Sequence, residues 1–226
     1  RTIPGLATRQ WVLDLRRKWG PDYKKDPRYR VRVLGEFPLA GTNQIVTAEH
    51  IRQAHLVWYR FAASLLGRSS LLENEEAWDR IIASPRELEQ VRRAWEETAR
   101  GDLRIGVDPA REGDDMSVIR PRRGLRLIRA KRVAKCKGRD LAGHVMDVAR
   151  AKRRGAAERP TVLVDEIGIG SSPVDFLSPE RAIYLIPVRS GDAPTKGHED
   201  DFVNLRAQFH FGVADWIEAG GGWEPD

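Results

Sequence analysis

Two short strand-like segments that each end in an acidic residue constrain the fold of this chain more than any other feature. They are Leu103–Asp108 and Thr161–Asp165, and both are mostly apolar, contain β-branched residues and precede turn-forming residues. Runs of this kind are typical of strands that are covered on both faces within a parallel sheet. Because open α/β sheets carry their sites beyond the carboxyl ends of such strands, we expect Asp108 and Asp165 to belong to a functional site.

Acidic residues at the ends of neighbouring strands favour the binding of hard cations. The chain carries a formal net charge of +6, so these acids stand in a protein suited to a polyanionic partner. Mg²⁺ and Mn²⁺ prefer oxygen ligands, and two such ions can polarise a phosphodiester from both sides. Asp114 and Asp115 are two further acids that follow the first strand. A two-metal site for Mg²⁺ or Mn²⁺ is therefore predicted at the two strand ends.

The sequence leaves one ligand assignment open. Adjacent side chains on a strand point to opposite faces, so Asp165 and Glu166 are alternatives for the side chain that faces the site. A single aspartate that ends a strand is more often a helix cap or an ion-pair partner. Two of them on neighbouring strands, beside a further acid and a basic segment, favour the ligand interpretation.

The basic segment follows the first acidic strand end. Residues 120–154 contain fourteen Lys or Arg residues against two aspartates. Phosphate contacts of this kind give affinity and salt dependence but no sequence specificity. The alternative is a solvated hairpin and helix surface, which is what most charged segments form. We favour the binding of a polyanion. The candidate residues are Arg122, Arg123, Lys131, Arg132, Lys135 and Lys137, of which the first four are expected on a solvent-facing turn and strand.

Composition excludes several classes of protein. With 226 residues, of which 41% are hydrophobic, the chain suffices for one large or two small folded domains. It contains no apolar stretch of the ~20 residues that a membrane helix needs, so no membrane partner is expected. Cys136 is the single cysteine, which excludes an internal disulfide and argues against a zinc–thiolate site. The chain begins with Arg1 rather than methionine, and we interpret it as part of a longer protein.

The pattern of the chain changes near residue 100. Residues 1–100 are predicted to be mostly helical, with a capping box from Ser84 to Glu87 that begins a helix ending near Arg100. Further helices are predicted at 8–19 and 51–66, and a strand at 28–35. Residues 101–226 are predicted to be α/β, with a mixed five-stranded sheet in the order 3-2-1-4-5 and helices on both faces. The predicted strands are 103–108, 116–121, 125–133, 161–165 and 183–188, with a hairpin turn at 122–124 and helices at 139–154, from 172 and at 202–219. This is the element order of the ribonuclease H fold.

Four segments in order along the chain resemble one protein family. They are 30–38 (Arg-Val-Arg-Val-Leu-Gly-Glu-Phe-Pro), 106–115 (Gly-Val-Asp-Pro-Ala-Arg-Glu-Gly-Asp-Asp), 164–170 (Val-Asp-Glu-Ile-Gly-Ile-Gly) and 202–207 (Phe-Val-Asn-Leu-Arg-Ala). Each is weak by itself, but the ordered set is specific. On these motifs the chain resembles the C-terminal half of the large terminase subunit of tailed bacteriophages, a DNA-packaging motor with a nuclease.

The resemblance implies a ribonuclease H-like nuclease domain at 101–226, preceded by a mostly helical linker or insertion at 1–100. Its activity would be metal-dependent cleavage of double-stranded DNA during genome packaging. Asp108 matches the first metal-binding acid of the family, Asp165 the second, and Asp114 or Asp115 an auxiliary acid. The family's third metal acid lies past the segment that matches 202–223, so the domain is expected to be truncated here and weakly active.

The resemblance also implies partners and a location. The family works with a portal and a small terminase subunit in the cytoplasm of the host cell. Its ATPase half is not matched, because the sequence contains no Gly-x-x-x-x-Gly-Lys-Ser/Thr motif, and no ATP site is expected in this chain.

Two other functions are weighed against the nuclease. The first is a DNA-grasping part of the packaging motor that has no nuclease activity in this truncated form. The second is an actin-like or sugar-kinase ATPase, whose first strand also ends in an aspartate before a hairpin. That class needs small or hydroxyl residues after the aspartate to admit a nucleotide phosphate, and Glu112, Asp114 and Asp115 would repel one.

Overall fold

The structure, a computed structural model, describes residues 13, 16–17, 45–110, 115–166 and 170–225. The chain divides into two compact units, residues 1–52 and 53–226. In the first unit, Leu13, Arg16 and Arg17 are helical, within the helix predicted at 8–19. The strand predicted at 28–35 lies outside the described residues.

Helices and short 3-10 turns precede the sheet. Helix α1 spans Ala48–Leu66, 3-10 turns span Ser69–Glu73 and Glu75–Arg80, and helix α2 spans Pro85–Glu97. The predicted cap of α2 is present, because the Ser84 hydroxyl accepts a hydrogen bond of 3.2 Å from the backbone N–H of Glu87. Trp58 and Trp95 are buried and pack edge to face, 5.2 Å apart between ring centroids. These rings fix α1 against α2 within the second unit.

The sheet has six strands in the predicted spatial order. They are β1 (Leu103–Asp108), β2 (Met116–Arg123), β3 (Arg126–Leu127), β4 (Lys131–Ala134), β5 (Thr161–Asp165) and β6 (Tyr184–Val188). The order is β3-β2-β1-β5-β6, with β4 also paired to β2. Strand β1 is antiparallel to β2 and parallel to β5, and β5 is parallel to β6. The prediction of a mixed sheet in ribonuclease H order is confirmed.

The predicted number of five strands is wrong, because the segment expected as a single strand at 125–133 is divided. Arg122 pairs with Leu127, whereas Ile119 pairs with Lys131, so one extra residue lies between β3 and β4 opposite β2. This is a β-bulge, which interrupts the ladder and bends the strand. The hairpin turn lies at Gly124 and Leu125 rather than at 122–124, and Gly124 has a φ of +52° that favours glycine.

One face of the sheet is covered by helices α3 (Gly138–Lys152) and α4 (Ser171–Leu177). Side chains alternate along β1, so Leu103, Ile105 and Val107 are buried on this face and the residues between them are exposed. The buried residues pack in one cluster with Val162 and Val164 of β5 and with apolar residues of both helices. The opposite face therefore carries the even-numbered residues of β1, including Asp108.

Most of the buried apolar residues described in the second unit form two clusters. One contains residues between 56 and 95, and the other contains residues between 103 and 183. The proposed boundary between a helical segment and a nuclease domain at residues 100 and 101 lies between these clusters. None of the described helices is long and apolar enough to cross a membrane.

The last helix, α5, spans Leu205–Glu218 and begins after an Asn204 cap, whose side chain accepts a hydrogen bond of 2.9 Å from the N–H of Ala207. At its far end, the Trp216 indole donates to the Gly124 carbonyl, at 3.0 Å. The guanidinium of Arg122 lies 5.7 Å from the centre of the Trp216 ring. Since Arg122 is on the same face of the sheet as Asp108, α5 reaches this face at the end that lies away from the acids.

Candidate metal centre

Asp108 and Asp165 lie side by side at the same edge of the sheet. Strands β1 and β5 pair in parallel with Gly106 opposite Leu163 and Val107 opposite Val164, so Asp108 is the next residue opposite Asp165. Residues in register on neighbouring strands, about 4.8 Å apart, project from the same face. Both aspartates are exposed. The two carboxylates therefore share one open face at the carboxyl ends of two central strands.

Glu166 is on the other side of the strand end. It follows Asp165 in the alternation, and its carboxylate accepts a hydrogen bond of 2.9 Å from Arg189. Its backbone N–H bonds the Val188 carbonyl and extends the pairing of β5 with β6. Of the two alternatives that the sequence left open, Asp165 is thus the one beside Asp108.

Gly170, the residue before α4, lies against the backbone at the end of β5. A Cβ at this position would lie 1.6 Å from the backbone oxygen of Asp165 and 3.6 Å from Pro109. The close approach requires a residue without a side chain. The glycine that follows the second acidic strand end therefore holds the backbone of Asp165 next to the start of the β1–β2 connection.

We expect Gly170→Ala to lower the free energy of unfolding by about 1–3 kcal/mol, because the added methyl must displace the Asp165 backbone. Gly143→Ala in α3 is the matched control, since a Cβ there meets nothing within 4 Å. This control is expected to gain about 0.5–1 kcal/mol from helix propensity. Urea denaturation of both variants measures the difference. Equal stability of the two variants would contradict the close approach at Gly170.

The β1–β2 connection is anchored at its base by Ser117. Its hydroxyl accepts from the Ala110 N–H at 2.9 Å and donates to the Ala110 carbonyl at 3.2 Å. Asp115 is exposed immediately before β2. Asp114 lies outside the described residues. The choice between Asp114 and Asp115 as the auxiliary acid therefore stays a prediction.

The donor set at this edge suits a hard cation. Two adjacent carboxylates supply the oxygen ligands that Mg²⁺ and Mn²⁺ prefer, and exposure leaves room for the water ligands that Mg²⁺ retains. Within residues 45–110, 115–166 and 170–225, no group of three or more His, Cys, Asp or Glu side chains is arranged to hold a metal ion. Asp108 and Asp165 thus fit two of the ligands of such an ion.

The candidate DNA-binding residues divide into three groups by position. Lys135 and Lys137 are exposed and follow β4, which runs parallel to β1, so they lie at the same edge as the acids. Arg132 pairs with Val118, and Val118 pairs with Asp108, which places Arg132 in the same cross-strand row and on the same face as Asp108 and Asp165. These three basic residues lie on the β4 side of the acid pair, with β2 between β4 and β1.

Lys131 projects from the opposite face. It pairs with the buried Ile119, and its ammonium lies 2.9 Å from Nδ1 of His144 on α3. Arg122 is on the acid-bearing face but is half-buried beside Trp216, and burial, followed by the charge of Arg104, lowers its pKa. Both residues are placed away from the acid pair.

The expectation that Arg123 faces solvent is wrong. Its side chain is 3% exposed, and its guanidinium donates to both carboxylate oxygens of Glu158, at 2.6 and 2.8 Å. It also donates to the carbonyls of Gly101 and Lys152. Arg126 is likewise structural, because it lies over the rings of Phe61 and Trp95. Part of the basic segment therefore ties the helices to the sheet.

Comparisons with known proteins give a distant structural match. No protein-family model matches the sequence, and a search of curated proteins found no match. The fold is similar to the nuclease domain of the large terminase subunit of bacterial virus Sf6, with a TM-score of 0.44 and 20% identity over 56% of this chain and 63% of that chain. A calcium form of the subunit from bacteriophage Sf6 has a TM-score of 0.46 at 20% identity, with the same coverage of 56% and 63%.

A third structure, the large terminase nuclease of the thermophilic phage G20c with bound magnesium, has a TM-score of 0.40 and 18% identity over 55% of this chain and 58% of that chain. The match to each of these domains thus spans less than two thirds of its length. A similarity of this size does not assign a function, which has to be argued from the site.

Proposed function

We propose that this chain is a metal-dependent endonuclease domain that cuts double-stranded DNA, of the kind found in phage large terminase subunits. The observation that carries the proposal is the placement of Asp108 and Asp165 in register on an exposed face. Lys135 and Lys137 lie along the same edge, and Arg132 lies in the same row. Acids flanked by cations suit a phosphodiester that is bound through metal ions, because the basic groups attract a backbone that the acids alone repel.

Asp108 and Asp165 would hold Mg²⁺ or Mn²⁺ in a two-metal site, with an auxiliary acid from Asp114 or Asp115. Divalent ions in such a site lower the pKa of a bound water and offset the charge on the leaving oxygen. The chain itself fixes the two carboxylates on neighbouring strands, which keeps the ligands pre-arranged. Lys135, Lys137 and Arg132 would bind backbone phosphates and orient the duplex across the edge.

The biological role that accompanies this activity is cleavage of DNA during genome packaging in the host cytoplasm, with the portal and the small terminase subunit as partners. The motif resemblance supports this role. The helical residues 1–100 would then form a linker or insertion, and residues 101–226 the nuclease domain.

Cleavage of supercoiled plasmid with Mn²⁺, Mg²⁺ or EDTA tests the proposal. We expect nicked and linear products with either ion and intact plasmid with EDTA. Asp165→Asn should abolish cleavage, whereas Glu166→Gln should retain it, because Glu166 pairs with Arg189 on the other side of the strand end. Cleavage that survives in Asp165→Asn, or that is lost equally in both variants, would remove this aspartate from the site. Binding of DNA without cleavage by the wild-type chain would instead favour the DNA-grasping module.

A further inference from the structure

The acid-bearing face of the sheet also carries a pocket lined by arginines. The pocket has a volume of about 390 Å³, and Arg92, Arg120, Arg129 and Arg132 line it together with Glu224. Arg92 comes from α2, Arg120 from β2, Arg129 from the bulged segment and Arg132 from β4. The bulge between β3 and β4 and the packing of α2 therefore bring together charges that are distant in the sequence.

The pocket lies close to the acid pair. Arg132 is two strands away from Asp108 in one row, which corresponds to roughly 10 Å. A nucleotide advances about 3.4 Å along one strand of a DNA duplex, so this distance spans roughly two or three nucleotides. A duplex whose scissile phosphate is at Asp108 and Asp165 can therefore present a neighbouring phosphate to the pocket.

The charged side chains of the pocket differ in their partners and in their exposure. Glu224 is matched by Arg92, whose Nε lies 2.8 Å from its carboxylate. Arg120 donates to the Ile128 carbonyl, at 3.3 Å. The Arg129 side chain is 66% exposed, and its pairing with Glu89 at 3.8 Å is a surface pairing that contributes little. Among the described side chains that line the pocket, four arginines are present with one glutamate, and Arg129 and Arg132 are the exposed arginines.

We propose that this arginine pocket binds a backbone phosphate of duplex DNA that flanks the cleaved bond. This inference rests on the proposed function, which identifies the polyanion as duplex DNA. The planar guanidinium group donates two parallel hydrogen bonds to phosphate oxygens, which a cluster of lysines does not reproduce. Contacts to the backbone position the duplex without reading its sequence. The pocket therefore sets the register of the duplex against the acid pair.

The test is the binding of a short duplex in EDTA, measured by fluorescence anisotropy across a range of salt concentrations. We expect Arg129→Ala/Arg132→Ala to lower the affinity on the order of tenfold at low salt and to flatten the log–log salt slope by about two units. Arg132→Lys should show an intermediate loss, because the charge remains but the bidentate geometry does not. Duplexes of unrelated sequence should be affected equally.

The matched control is Arg150→Ala on α3, which covers the opposite face, where the Arg150 side chain is 59% exposed. It should bind DNA within about twofold of the wild type, since it contacts no phosphate in this arrangement. Equal affinity and salt slope in the double variant and the wild type would overturn the pocket, as would an equal loss in Arg150→Ala. Because binding is measured without metal, the result is independent of cleavage. Surviving cleavage in Asp165→Asn would remove Asp165 from the proposed metal site, whereas unchanged binding in the double variant would overturn the pocket and the phosphate contact of Arg132 but not the nuclease.

Discussion

We expect Asp108→Asn to abolish cleavage of plasmid DNA in Mg²⁺ or Mn²⁺ while DNA binding stays intact or becomes slightly stronger. Asp108 ends the central strand β1 and lies in register with Asp165, so in the proposed site its carboxylate would be one of the metal ligands. Asparagine keeps the shape of the side chain but not its charge, and the loss of a direct metal ligand should reduce the rate by on the order of 100-fold or more. Removal of a negative charge near phosphate also lowers electrostatic repulsion.

The control for this variant is Asp102→Asn, which removes the same charge next to the opposite end of β1, where Asp102 is exposed. It should cleave like the wild type, because it lies away from the acid pair. Rates from a time course of nicking, with affinities from anisotropy in EDTA, separate chemistry from binding. Undiminished cleavage by Asp108→Asn would exclude this residue from the mechanism, and an equal loss in Asp102→Asn would indicate a general effect of charge.

The acid pair was predictable because it depends on local patterns. An apolar run of β-branched residues that ends in Asp indicates a buried strand, and it places the aspartate at the carboxyl-end edge of the sheet. Two such runs separated by a helix and a hairpin give the order in which β1 and β5 become neighbours. The face of Asp165 needed the register as well, because alternation alone does not say which of two consecutive acids, Asp165 or Glu166, points towards Asp108.

Which basic side chains are buried and which lie beside the acids was not predictable from the sequence, because their positions depend on contacts between distant segments. Arg123 and Arg132 have the same charge and lie in the same hairpin region, yet one is buried against Glu158 and the other lies in the row of the acids. The extra residue between β3 and β4 shifts the register, and no sequence signal marks a bulge of this kind. The arginine pocket was missed for the same reason, since Arg92 joins it through the packing of α2.

Arg123→Ala is expected to destabilise the fold by about 3–5 kcal/mol. The substitution removes the buried guanidinium and leaves the partly buried Glu158 carboxylate without its charged partner. The hydrogen bonds from Arg123 hold the pKa of Glu158 at about 2, below its ordinary value of 4.5. A carboxyl whose pKa is lowered by folding contributes stability above its unfolded pKa and loses it as the pH falls through its folded pKa.

The difference in stability between the wild type and Arg123→Ala should therefore be largest above about pH 4.5 and should narrow as the pH falls towards about 2. Urea denaturation at several pH values measures it. Arg104→Ala is the matched control, because this exposed arginine is on β1 near the same end of the sheet and beside the like charge of Arg122. Its stability should change by no more than about 0.5 kcal/mol. If Arg123→Ala were as stable as this control, and equally so at every pH, the buried ion pair would not hold the helices to the sheet, and Arg123 would return to the set of residues that bind DNA.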